Sequence, residues 1–211
     1  VHLGLLSALV MKTVLALCIA AFALAAAPRA AAADLELRIV DSAGRPVPGA
    51  VVTVYPDAGL PSGPVQFDWE YQIQQRDIAF SPHVLIVPKG AEVSFPNLDR
   101  VRHHVYSFSR PNDFEIKLYG REDDRRVSFR HTGAVAMGCN IHDEMSAFIK
   151  VVDTPFAAKS GTDGAVRIGG IPAGGASVRI WHPDLRVKNN ELTQTLSFPA
   201  GAKRLAIDLR R

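Results

Sequence analysis

From Leu35 onward, short runs rich in Val, Ile, Phe and Tyr alternate with Gly, Pro, Asp and Asn. Leu35-Glu36-Leu37-Arg38-Ile39-Val40 alternates apolar and charged positions through Ile39, the period of a half-buried strand. Ala50 to Tyr55, Val84 to Val87, Val93 to Phe95 and Phe148 to Val152 are short runs rich in apolar residues. Ala165 to Ile168, Ser177 to Trp181 and Leu205 to Leu209 continue the pattern. Strands at turn-bounded intervals predict antiparallel sandwiches or barrels. No stretch after residue 34 sustains the 3.6-residue period of an amphipathic helix, and Pro96, Pro111 and Pro155 would break one. The expected fold class is all-β.

Before Leu35 the pattern is different. Met11-Lys12 opens a basic segment, Val14 to Ala27 is unbroken apolar sequence, Pro28-Arg29 interrupts it, and Ala31-Ala32-Ala33 offers small residues before Asp34. This is the layout of a secretory signal peptide over residues 1–33, and the apolar run is shorter than the roughly 20 residues a spanning helix needs. The expectation is an exported, periplasmic protein with no stable membrane insertion after cleavage. The chain of 211 residues carries 24 Lys+Arg against 21 Asp+Glu. Lys12 and Arg29 fall in the signal segment, so the remainder is nearly neutral and nucleic acid is not an expected partner. Of the two cysteines, Cys18 lies in that same segment and Cys139 is left alone. An exported protein normally pairs its cysteines, so a single one must bond another chain, stay inert in the core, or bind a metal.

The turn Asp41-Ser42-Ala43-Gly44-Arg45-Pro46-Val47-Pro48-Gly49 between two strands resembles the opening hairpin of carboxypeptidase-regulatory-like, transthyretin-type β-sandwiches. The later half of that pattern appears far downstream, at Thr162-Asp163-Gly164-Ala165-Val166-Arg167-Ile168-Gly169-Gly170-Ile171-Pro172. The expected organisation is a split sandwich, 34–61 with 156–211, holding a second domain, 62–155, in one surface loop. Two units in tandem are the alternative.

The chemistry concentrates in Gly138-Cys139-Asn140-Ile141-His142-Asp143-Glu144-Met145, with His103-His104 upstream. One thiolate, two imidazoles and a thioether are the ligand set of a blue-copper centre, with the thiolate and imidazoles in a trigonal plane and Met weakly axial. Thiolate suits both Cu(I) and Cu(II), and a distant thioether favours the reduced ion. Period-two alternation lets only one of His103 and His104 face inward.

Residues 75–152 resemble a cupredoxin, closest in ligand-loop spacing to amicyanin and more distantly to plastocyanin. Phe80-Ser81-Pro82, Val87-Pro88-Lys89-Gly90-Ala91-Glu92-Val93 and Phe95-Pro96-Asn97 match the early strands, and Gly133 to Cys139 with His142 and Met145 matches the ligand loop. The arrangement also resembles exported proteins labelled methylamine utilisation proteins. The cupredoxin resemblance implies a Greek-key sandwich with one copper ion, cycling Cu(I)/Cu(II), held by His103, Cys139, His142 and Met145. It implies protein redox partners, such as a cytochrome or a periplasmic dehydrogenase. Asp143 and Glu144 stand where amicyanin-like proteins carry Pro and an apolar residue, which favours a basic partner at the His142 surface. Glu144 replacing Met145 would give a harder, lower-potential centre, and zinc accepts the same thiolate and imidazoles. Asn97 is either an ordinary turn residue or an organiser of the ligand loops. His83, His131 and His182 lie beside turn residues and are expected to be structural. Gly-x-Ser-x-Gly, His-Glu-x-x-His and phosphate-cradling loops are absent, so an electron carrier is expected rather than an enzyme. A copper-delivery module and a non-redox scaffold are the alternatives.

Overall fold

The structure, a computed structural model, describes residues 32–199 and 203–209. The expected signal segment lies outside them up to residue 31, and Ala32 and Ala33 already belong to the first strand. The described chain is all-β, as its periodicity predicts: sixteen strands and one turn of 3-10 helix at Lys188–Asn190. In chain order the strands are β1 (Ala32–Asp41), β2 (Val51–Pro56), β3 (Gln74–Arg76), β4 (Ala79–Ser81), β5 (Val84–Pro88), β6 (Glu92–Ser94), β7 (His103–Ser107) and β8 (Phe114–Tyr119). Then come β9 (Arg126–Ser128), β10 (Gly133–Cys139), β11 (His142–Val152), β12 (Ala157–Lys159), β13 (Ala165–Pro172), β14 (Gly174–Trp181), β15 (Glu191–Phe198) and β16 (Lys203–Ile207).

Two layers enclose a first core. One is the sheet β13-β1-β16, the other β12-β2-β14-β15. The alternation along β1 turns Leu35, Leu37 and Ile39 inward, where they meet Val52 and Val54 of β2, Val166 and Ile168 of β13, and Val178 and Ile180 of β14. Sequence pieces on either side of residues 57–155 therefore share one core. They are stitched at Ser160, whose buried hydroxyl donates to the Val47 carbonyl and accepts the Ala50 N–H. The chain leaves this core after β2 and returns beside the same point. Thr154 Oγ1 donates to the Val54 carbonyl at 2.7 Å, and the Val54 N–H donates to Phe156 O at 2.8 Å.

Between those points a second core forms. The sheet β5-β11-β10-β7-β8 and the ribbons β3-β4 and β6-β9 surround Val87, Phe95, Val105, Tyr119, Phe129, Val135, Met137, Cys139, Met145 and Ile149. Antiparallel pairing is not universal. β16 lies parallel to β1, and β5 parallel to β11. Parallel neighbours require a crossover rather than a hairpin, which local periodicity does not encode. The last strand also falls earlier than the expected Leu205 to Leu209, with Leu209 in a separate bridge to Leu185.

A third apolar cluster joins the two cores: Val51, Ala157 and Trp181 from the first side, Val84, Ile86 and Val152 from the second. Trp181 stacks edge-on against Phe148 at 5.7 Å, and Lys150 reaches over the same indole while its ammonium pairs with Glu191 at 2.6 Å. β5 is an edge strand, a template for unwanted pairing if left bare. Here Lys159 Nζ donates to Val84 O and Trp69 Nε1 to Ile86 O, covering it.

A positive φ constrains the chain at Gly164 and in the loop Asp77-Ile78. Gly164 has φ of 75°, and a Cβ there would stand 2.3 Å from the Ile39 carbonyl oxygen. The two-residue loop Asp77-Ile78 joining β3 to β4 has φ of 55° and 56°, a type I′ reversal made without glycine. An L-residue in this region costs about 1–2 kcal/mol. Gly164→Ala should lower the unfolding free energy by more than about 2 kcal/mol in a urea titration, because backbone and not a flexible side chain blocks the methyl group. Ile78→Gly should instead raise it by about 0.5–1 kcal/mol, the left-handed penalty less the entropy that glycine adds to the unfolded chain.

Candidate metal centre

Three strands deliver the site. Along β7 the burial alternates, turning His103, Val105 and Ser107 inward and His104 and Tyr106 outward. Along β10, Val135, Met137 and Cys139 face the same core. Cys139 pairs with Val105 of β7 on one side and with His142 of β11 on the other, across the reversal Asn140-Ile141. Pairing to both neighbours brings the three polar side chains together. Cys139 Sγ lies 3.7 Å from His103 Nδ1 and 3.6 Å from His142 Nδ1. All three donor atoms lie within 4.8 Å of one another, and the two imidazole centroids are 5.0 Å apart.

The donor set fits a metal. Nitrogen and sulfur ligands that share one tetrahedral or trigonal ion at ordinary bond lengths stand about 3.5–3.8 Å apart, and both Sγ–Nδ1 separations fall in that interval. Cys139 is 4% exposed and His103 is fully buried, while His142 is partly exposed. Met145, 2% exposed, sits three residues beyond His142 along β11, in the same buried cluster as Cys139. Glu144 and Asp143 are exposed, and so is half of Ile141, so the surface around His142 is a mixture of carboxylates and an aliphatic side chain.

His104 points away: its Nε2 lies 2.9 Å from Glu115 Oε1 on the outer face. Of the adjacent pair, only His103 meets Cys139. His83 packs edge-on against Phe148, the backbone of His131 is bonded to Asn112, and His182, whose burial holds its pKa below the usual imidazole value, sits beside Asp184. None of these three joins the cluster.

Asn97 is an organiser. Buried, it donates to the carbonyls of Val101 at 2.9 Å and Tyr119 at 3.3 Å and accepts the Asp99 N–H at 2.9 Å, which fixes the loop leading into β7. Asp99, which the sequence reading did not single out, contacts the cluster. Its Oδ2 lies 2.9 Å from His103 Nε2, on the side of the ring away from Cys139. Burial pushes the Asp99 carboxyl up, but bonds from His103 and from the Ile78 and Asp77 N–H groups outweigh it, and its pKa lies below the usual carboxylate value. The one sequence signal was its spacing, four residues before His103. Tyr119, wholly buried, bonds the Phe95 carbonyl and Gln75, and burial raises its pKa.

No family model matches the chain, and no curated protein matches it. Among solved structures, part of the chain is similar to a Cu-containing nitrite reductase (NirK) from Thermus scotoductus SA-01, with 25% identity over 43% of this chain and a TM-score of 0.38. This chain covers 25% of that reductase, so it spans a quarter of its length. It is also similar to a purple cupredoxin from Nitrosopumilus maritimus (21% identity, TM-score 0.36, 39% of this chain and 100% of that one). A third similarity is to the reduced Cu(I) form of a point mutant of amicyanin (15% identity, TM-score 0.37, 49% and 99%).

The two histidines of β7 give a direct test of the geometry. His103→Gln should weaken Zn2+ capture at least 100-fold in competition with a chromophoric chelator, whereas His104→Gln should leave it within twofold.

Proposed function

We propose that this chain is an exported type 1 (blue) copper protein that carries single electrons between protein partners in the periplasm. The observation that carries the reading is the convergence of the buried Cys139 thiol with the Nδ1 atoms of His103 and His142, at 3.7 and 3.6 Å. In this reading His103, Cys139 and His142 would hold one copper ion, and Met145 would offer its thioether as a further ligand. Bound there, copper would supply a one-electron Cu(I)/Cu(II) couple, which thiolate and imidazole accommodate in both states.

The chain's own part is to position and to exclude. Three hydrogen-bonded strands fix the donors, so the ligand geometry is set by the sheet rather than by the ion. The Cys139 thiol is buried in the same apolar cluster as Val105, Met137 and Met145. His142 is the donor nearest solvent, and the exposed carboxylates of Asp143 and Glu144 beside it favour a basic, protein redox partner. Residues 62–155 form the copper domain, and 34–61 with 156–211 form a split regulatory-like sandwich around it. Export rests on the Met11 to Ala33 segment; no helix of the described residues is long and apolar enough to cross a membrane. The site has a carrier's donor set, and the reading assigns the chain no catalysis and no nucleic acid.

Titrating the protein with Cu(II) should give an intense visible band that saturates at one equivalent and bleaches reversibly with ascorbate. Cys139→Ser should abolish the band and retain the fold by far-ultraviolet circular dichroism. A colourless wild-type protein, or release of Cu(I) on reduction, would count against electron carriage, the latter in favour of copper delivery.

A further inference from the structure

The loop at Asp77-Ile78 and the carboxylate of Asp99 meet although 21 to 22 residues separate them. In a type I′ reversal the two central N–H groups point out of the hairpin, side by side, and such paired donors make a concavity for an anion. The Asp99 carboxylate fills it. Asp77 N–H donates to Oδ1 at 2.6 Å and Ile78 N–H to Oδ2 at 3.1 Å, while the same Oδ2 faces His103 Nε2 at 2.9 Å. The hairpin is itself bolted to the segment that carries Asp99. Gln75 N–H donates to Pro96 O at 3.0 Å, and Leu98 N–H returns to Gln75 O at 2.8 Å. Gln75 is fully buried and also bonds Tyr119.

A carboxylate only accepts hydrogen bonds, so the proton of a neutral His103 ring must sit on Nε2. The lone pair is then on Nδ1, the atom turned toward Cys139. We propose that Asp99, held by the backbone N–H groups of Asp77 and Ile78, is a positioning residue that fixes His103 in the Nε2–H tautomer and so presents Nδ1 as a metal donor. With the left-handed φ of Asp77 and Ile78, both N–H groups reach the one carboxylate. Carboxylate partners of this kind orient a ligating imidazole and strengthen its donation, and their loss typically costs 10- to 100-fold in metal affinity. The metal part rests on the proposed function; the tautomer does not.

The test uses the full chain without added metal at pH 8, with histidine tautomers read from long-range proton–nitrogen correlation spectra. His103 is expected as Nε2–H in the wild type, and finding it as Nδ1–H overturns the proposal whether or not any variant folds. Three N–H donors face the two Asp99 oxygens, and Asp99→Asn leaves one acceptor oxygen among them. D99N should therefore shift His103 toward Nδ1–H and weaken Zn2+ binding 10- to 100-fold, with His104→Gln as the unaffected control. A folded D99N protein with wild-type tautomer and Zn2+ affinity within twofold overturns the proposal, even if the protein turns blue with copper. A protein that never develops the copper band, yet shows the expected tautomer and its loss in D99N, supports the positioning role and defeats only the electron-carrier reading.

Discussion

The double pairing of Cys139 is the constraint on which the site depends. As the last residue of β10 it is hydrogen-bonded into a ladder with β7 on one side and β11 on the other. Burying Val135 and Met137 on the inward face commits Cys139 to the same face, since alternate residues of a strand share a side. The ladder to β7 then sets which residue of that strand comes opposite, and the ladder to β11 does the same for His142. A slip of one residue would turn His104 inward and His103 out, and the cluster would vanish. Polar atoms this deep in an apolar core are expensive unless they are partnered. His103 is fully buried, and its two ring nitrogens are directed to Cys139 and to Asp99.

The two cores support one another through a small number of specific contacts. The exit and return of the chain at Val54 and Thr154 brings the ends of a long excursion together, so the first core loses little by admitting it. In turn, its Trp181 and Lys159 cover the face and the edge that the five-stranded sheet would otherwise leave to solvent. The partly buried Lys150–Glu191 pair lies at the same seam, where Trp181 shields it. Tyr55 donates to Asp153 across this boundary, and its burial there, with the nearby carboxylate, raises its pKa.

Positions along the chain divide by how far their information reaches. β1 and β14 were legible because each repeats an apolar residue at period two for long enough to register, and β2 as a compact apolar run between turn residues. The three-residue strands β3, β9 and β12 were not, because a run so short carries no period, whereas β6 falls on the expected Val93 to Phe95 and β4 on the matched Phe80-Ser81. The ligand loop was legible from one seven-residue window, Cys139 to Met145; the choice of His103 over His104 came from the resemblance and not from the periodicity. Alternation says only that one of them is inside; which one depends on the register of β7 against β10.

What the sequence alone determined is therefore local: the all-β character, the grouping of Cys139, His142 and Met145, and the turn residues that open and close the outer sandwich. Those properties reside in side chains a few positions apart, where strand geometry fixes the relative direction of each. The tertiary structure decided the rest. It turned β16 and β5 parallel to their neighbours, seated Trp181 on Phe148, and placed the Asp77-Ile78 loop against Asp99. Each of these joins segments distant along the chain, and such contacts follow from how whole sheets pack, which no local pattern of polar and apolar residues records.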